Sequence, residues 1–163
     1  MTSEKGEGSC TTLKIPLTLA IVDGMEISVG NSVFTVPISN IRQSFKVTSD
    51  DIILDAAGNE LIKCMDEFYP VIRLHKLYGI YEDVCTHVDD GILMWGEAND
   101  KSYCLLVDSL LGEQQVVVKP LHPYLNNCGI KDYGISGFTI LGDGNISIIL
   151  DIAAIHTAAM NSY

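Results

Sequence analysis

Apolar and polar residues alternate in short runs along most of the chain, with turn formers between the runs. That period of two is the signature of half-buried strands rather than helices. Residues 11–29 run apolar with a break at Pro16, which predicts a strand that ends there or lies at an edge. Gly30 and Asn31 turn the chain back on itself, so residues 25–38 read as a hairpin, followed by a single helical turn over residues 39–44. Residues 45–54 are extended, 56–59 form a turn, and 60–69 are strand with a turn at 65–67. A short buried segment begins at Pro70. Residues 74–78 have the spacing of one helical turn, closed by Gly79. The polar stretch 81–90 is a loop, and 91–96 with 101–107 form a second hairpin over residues 97–100.

The most informative stretch follows. YCLLV ends in Asp108, turns through Leu110, Leu111 and Gly112, and leaves along a new apolar strand at 116–118. After a loop over 126–132, GISGFTIL and NISIILDI flank Asp143-Gly144, a pair that predicts a type I′ hairpin because both of its central residues need positive φ. Residues 151–163 are Ala-rich with apolar positions at 152, 155, 159 and 160, and are the best helix candidate. An internal echo runs through these elements. GMEISVGNSVFTVPISNI and GILMWGEANDKSYCLLVDSLL both read as strand, polar turn, strand, then a short apolar turn, about half the chain apart. Many short strands with an approximate duplication predict an all-β fold of two small barrels side by side.

Composition narrows the function. At 163 residues, 47% hydrophobic and 19% charged, the chain is a folded domain with core to spare. Its net charge of −11 argues against nucleic acid or an anionic membrane surface as partner. No apolar run predicts membrane insertion and no apolar stretch follows Met1, so a cytoplasmic setting is expected. Cys10, Cys64, Cys85, Cys104 and Cys128 are odd in number and without a C-x-x-C pair, which suits a reducing compartment.

Candidate chemistry is sparse. Cys85, His87, Asp89 and Asp90 crowd one loop and have the donor types for a metal, although a solvated loop is the favoured reading. Ser136 lies in a G-x-S-G phrase without the strand–turn–helix context of a nucleophile elbow. The glycines at 134, 137, 142 and 144 suit hairpins better than a phosphate loop. Asp108 and Asp151 each end an apolar strand, where a carboxylate hydrogen-bonds nearby backbone. No catalytic constellation, metal or cofactor is expected, and the absence points to a binding module.

The wording of the two late phrases, LLVDSLLGEQQVVVKPL and GISGFTILGDGNISIILDI, resembles the CheW-like module of bacterial chemotaxis proteins. VGNSVFTVPISNI is similar to that family's first hairpin, and YPVIRLHKLYG to its L-P-x-x-R-L-x-x-L-(F/Y)-G segment. The resemblance implies two five-stranded β-barrels related by a pseudo-twofold, with a short C-terminal helix. Two hosts carry the module: the small CheW adaptor and the regulatory domain of the chemotaxis histidine kinase CheA. GEGSCTTLKIPLTLAIVDGM is similar to the kinase's junction, where Gly8, Thr11, Thr12, Ile15 and Pro16 match while Ser9, Cys10 and Leu13 depart. The N-L-R-G phrase of the adaptor is replaced by LIKCMDEFYPVIRL.

The resemblance therefore implies that residues 1–16 are the tail of an ATP-binding domain and 17–163 a regulatory domain within a longer protein. Its implied partners are the CheW adaptor, the cytoplasmic tips of chemoreceptors within membrane receptor arrays, and the kinase core of the same chain. The alternative is a free-standing CheW-type coupling adaptor. No kinase activity is expected of these residues, and none of His75, His87, His122 and His156 sits in a phosphoacceptor bundle. Ile41, Leu110 and Leu111, in the turns after the two echoing strands, are the interface candidates: anchors for a partner, or plugs of the barrel ends.

Overall fold

The computed structural model describes residues 2–4, 8–12, 20–122, 124 and 129–161. The expected break at Pro16, the boundary at 16/17 and part of the 126–132 loop lie outside them. Two short strands, β1 (Thr2–Glu4) and β2 (Gly8–Cys10), pair antiparallel by themselves. The body of the molecule holds β3 (Ile21–Val29), β4 (Ser32–Pro37), β5 (Ile41–Phe45), β6 (Ile52–Leu54), β7 (Glu60–Cys64), β8 (Glu67–Arg73), α1 (Leu74–Tyr78), β9 (Ile92–Ala98), β10 (Lys101–Val107), β11 (Ser109–Val117), β12 (Lys119–Pro120), β13 (Ile135–Ile140), β14 (Ile146–Leu150) and α2 (Ile152–Asn161). It is an all-β fold with one short C-terminal helix, as the alternation predicts.

The strands form two six-stranded sheets, ordered β11-β3-β4-β14-β13-β12 and β5-β9-β10-β8-β7-β6. The family resemblance implied five strands in each of two barrels. In each sheet the two edge strands are successive pieces of one run of chain, residues 109–120 in the first and 41–54 in the second. Five runs thus make six strands, and each sheet is curled rather than a closed barrel.

The two halves of the chain match element by element. β3–β4 and β9–β10 are hairpins, β4 and β10 each take a parallel neighbour (β14 and β8), and these end in α2 and α1. The echo in the sequence is this correspondence. After each hairpin the next run crosses to the other sheet: β5 leaves β4 to pair with β9, and β11 leaves β10 to pair with β3. The helical turn expected over residues 39–44 is confined to a 3-10 turn at Ile38–Asn40, and the apolar turn at Leu110–Leu111 is strand. The physical reason is the open edge of the opposite hairpin. It offers backbone partners all along the run, and a ladder satisfies more backbone groups than an isolated turn can.

The core explains why the crossing holds. In β10, Tyr103, Leu105 and Val107 face a core shared with β3, β4 and α2, while Cys104 and Leu106 face a second core inside the curl of the second sheet. A strand buried on both faces reads as an unbroken apolar run, and YCLLV is one. Ile152, Ile155 and Ala159 of α2 seal the shared core, and the Tyr103 hydroxyl donates to the Ile152 carbonyl. Met160, expected on the apolar face of that helix, is 62% exposed.

Turn chemistry departs from the sequence in one place. Type I′ geometry occurs at Met65-Asp66 and Asn99-Asp100, where both residues have positive φ. At the predicted Asp143-Gly144 site only Gly144 does, at 88°. There Leu141 N–H donates to the Asn145 carbonyl and Asp143 accepts from Asn145 N–H, giving a longer loop.

Because both cores share β10, Leu105→Ala should cost about 2–5 kcal/mol, as a cavity at a fully buried Leu does. Both sheets should melt in one cooperative transition. A variant whose melt splits into two steps by circular dichroism and Trp95 fluorescence would contradict this coupling.

Candidate interaction surfaces

The three interface candidates fall at matching points. Ile41 opens β5 opposite Gly96, and the ladder then skips Arg42, a bulge. Leu110 lies opposite Ile27, and the ladder then skips Leu111, also a bulge. A bulge inserts one residue and re-aims its side chain. Ile41 and Leu110 are half-buried against the shared core, whereas Leu111 is 54% exposed. Gly112, at φ 145°, supplies backbone freedom beside the second bulge.

A row that sequence reasoning missed lies on the outer face of the first sheet. Ile21 pairs with Val117, and Ile140 with Ile146, all four exposed. The register Lys119↔Phe138, continued two residues, sets Val117 beside Ile140 and joins the two pairs into one strip. The second sheet has a counterpart at its β7–β8 hairpin, where Ile53 pairs with Leu61, Leu61 with Pro70, and the exposed Phe68 sits opposite Lys63 next to the exposed Met65. Beside it a cavity of about 250 Å³ opens between β8 and α2, lined by Leu61, Pro70, Ile72, Ala159 and Met160 together with the polar Asp55, Asn59, Glu60 and His156. Contiguous exposed aliphatics on a folded domain mark places where another surface docks.

Polar groups fix the junctions. The Asp108 carboxylate accepts from Gly30 N–H at 2.6 Å and from Cys85 N–H at 3.1 Å. It ties the first hairpin turn, the loop between the halves and the β10–β11 crossing into one point. The sequence placed its partners nearby; they are 78 and 23 residues away. Asp151 does bond locally, accepting from Ala153 and Ala154 N–H at the start of α2. Arg73 grips Glu60 through two nitrogens at 2.6 and 2.8 Å and donates to the Thr86 carbonyl. That grip holds the Glu60 carboxyl below the usual carboxylate range, against the opposing effect of burial.

The remaining candidates are divided among structural partners. Asp89 accepts from Ser49 N–H and its hydroxyl, and Cys85 Sγ lies 3.7 Å from the Asp90 carbonyl. Among the described residues no group of His, Cys, Asp and Glu gathers in a metal-binding arrangement. Burial pushes the Cys85 thiol up, away from thiolate character. Ser136 is another bulge residue, donating to the Ile149 carbonyl. No helix among the described residues is long and apolar enough to cross a membrane.

Residues 23–160 match the model of the CheW-like domain. The chain belongs to this family. Over 153 residues, 94% of its length, it is 35% identical to the chemotaxis protein CheA of Salmonella typhimurium, and 34% identical to that of Bacillus subtilis. The CheA of Treponema pallidum is 36% identical over 152 residues, 92% of the chain. The chain spans about a fifth of these relatives, 22%, 22% and 18% of their lengths. The crystal structure of the scaffolding protein CheW from Thermoanaerobacter tengcongensis superposes with a TM-score of 0.65 at 17% identity, covering 80% of this chain and 89% of that one. This chain therefore shares the fold of that scaffold.

Protonating Glu60 must break the Arg73 pair, so the sign of its effect on stability is fixed. Its folded pKa is depressed, hence the contribution is present above the unfolded value of about 4.3 and fades as pH falls through the lower folded value. Glu60→Gln should cost about 1–3 kcal/mol at pH 7 and progressively less below pH 4. Urea melts at both pH values check it, and an equal loss at pH 7 and pH 3 would show that the charge does not matter.

Proposed function

We propose that this chain is the regulatory domain of a chemotaxis histidine kinase. It is a non-catalytic scaffold that binds the CheW adaptor and the cytoplasmic tips of chemoreceptors, and couples receptor state to the kinase core of the same protein. The supporting observation is identity of 34–36% to CheA proteins over more than nine-tenths of the chain. The match of residues 6–25 to a kinase junction agrees with it. A free-standing CheW-type adaptor is the second reading, favoured by the fold likeness to the CheW scaffold. An open reading frame encoding an ATP-binding domain upstream of Thr2 decides for the kinase; its absence decides for the adaptor.

On this reading the exposed rows dock a module of the same fold. The Ile21–Val117–Ile140–Ile146 strip and the Leu61–Phe68 face lie on opposite sheets, so one module can engage two neighbours through unlike ends. Heterologous contacts of that kind close into rings when the rotation allows. The contacts are aliphatic, and interface cores are depleted in charge. Binding should therefore survive moderate salt, with the net charge of −11 acting mainly on the association rate.

The substitutions that test this separate anchors from plugs. Ile140→Asp and Leu111→Asp should leave stability within about 0.5 kcal/mol while weakening CheW binding at least tenfold by calorimetry. Ile41→Asp and Leu110→Asp, at half-buried positions, should lower stability by about 2–4 kcal/mol. Folded Ile140→Asp and Leu111→Asp proteins that still bind CheW and receptor normally would remove these surfaces from the proposal.

A further inference from the structure

Each sheet is built from both halves of the chain. Residues 21–78 supply β3 and β4 to the first sheet and β5–β8 to the second; residues 92–161 supply β9 and β10 to the second and β11–β14 to the first. Four strand interfaces run between the halves: β3 with β11, β4 with β14, β5 with β9, and β8 with β10. Without the second half the first sheet is reduced to the β3–β4 hairpin, and an isolated hairpin is marginal in water. The shared core likewise draws Ile27 and Phe34 from one half and Tyr103, Leu150 and Ile155 from the other.

A single link, residues 79–90, joins the halves. Leu106 pairs with Arg73 on one side and Leu93 on the other, so β8 and β9 lie about two strand spacings apart, roughly 10 Å, and α1 carries the chain from Arg73 to the start of the link. Extended, residues 79–90 could reach roughly 40 Å. The link is far longer than closure requires. It is held by side contacts instead: Asn31 Nδ2 donates to Asp83, Cys85 N–H to Asp108, Arg73 to the Thr86 carbonyl, and Ser49 to Asp89.

We propose that residues 79–90 are the hinge of a reciprocal exchange, through which two copies of this chain trade halves to form a dimer. Every contact between the halves in one chain can be remade between two, because each half presents the edges the other completes. Only the link contacts differ between the two forms. The monomer is favoured while chain concentration stays below the effective concentration set by the link, on the order of millimolar for a flexible connection. Exchange requires the halves to part, so it occurs during folding rather than in the folded state. Such exchange is a low-cost route to dimers, and the partner here is a second copy of this chain.

The test co-expresses two full-length copies, one tagged at its N-terminus and the other at its C-terminus. Both carry a protease site between Glu82 and Asp83, exposed residues of the link. Particles holding both tags are isolated and the link is cut. Exchange predicts that the two tags stay together in a particle of one chain's mass, because the first half of one copy is completed by the second half of the other. Surface docking predicts that each tag stays with its own parent's halves, which overturns the proposal. Cutting the singly tagged monomer provides the second measurement, since its halves must remain associated on gel filtration. Halves that separate there overturn it too, as does the lack of any doubly tagged particle both on co-expression and after joint refolding at about millimolar chain.

Discussion

The structure depends on β10 being buried on both faces. Tyr103, Leu105 and Val107 serve the core between the sheets while Cys104 and Leu106 serve the interior of the second sheet, so both cores draw on this one strand. Each fully buried aliphatic or aromatic side chain contributes about 1.5–3 kcal/mol of transfer free energy. Concentrating four of them, together with the buried Cys104, on one strand makes it the common wall of the fold. Burial on that wall pushes the Cys104 thiol up to about 12, which keeps it an uncharged packing group. The position of α2 follows, because Ile152 and Ile155 close the face of β10 that the first sheet leaves uncovered.

The crossing runs complete what β10 begins. A run that stayed with its own hairpin would leave two separable lobes joined by a thread. By pairing with the opposite hairpin, β5 and β11 turn the thread into a lock, and the Asp108 carboxylate holds one crossing against the Gly30 turn. The cost is geometric. Each run enters a ladder whose register it does not match and sheds one residue as a bulge, Arg42 in one case and Leu111 in the other. The bulge is also what turns Leu111 toward solvent while Leu110, its neighbour, packs inward. The lock and the exposed side chain have the same origin.

Much of this was legible in the sequence. The half-chain echo gave the matching hairpins, Gly79 gave the end of α1 with its left-handed φ of 66°, and the unbroken YCLLV gave an apolar strand. The missed parts share a cause: alternation shows which residues lie on one face of a strand, but not which sheet that face meets. Ile140 and Ile146 alternate as well as Phe138 and Ile148 do, yet one pair is bare and the other half-covered. Residues 39–44 and 109–115 have the composition of turns, and only the open edge of the distant hairpin makes them strand. The partners of Asp108 were hidden for the same reason, since nothing local to YCLLVD points to Gly30 or Cys85.

The matched halves are not filled alike. Inside the curl of the first sheet Val116 and Ile149 are buried among small or polar positions: Gly24, Gly137, Thr139, and Thr35 bonded to Ser147 at 2.7 Å. Inside the second they are Val47, Ile62, Val71, Leu93 and Leu106. The helices differ too. On the α1 side Tyr78 stacks on Phe34 at 5.3 Å, on the α2 side His156 lies against Tyr103 at 5.5 Å, and a cavity opens between α2 and β8. An exactly repeated module would offer a partner two equivalent ends and no means of choosing between them. Here the backbone repeats while the side chains diverge. On the proposed docking, a partner of the same fold meets a strip of β-branched residues at one end, and at the other Leu61, Phe68 and Met65 beside a groove. In the proposed assembly, direction is thereby set by packing, with charge left to govern how fast the partners meet.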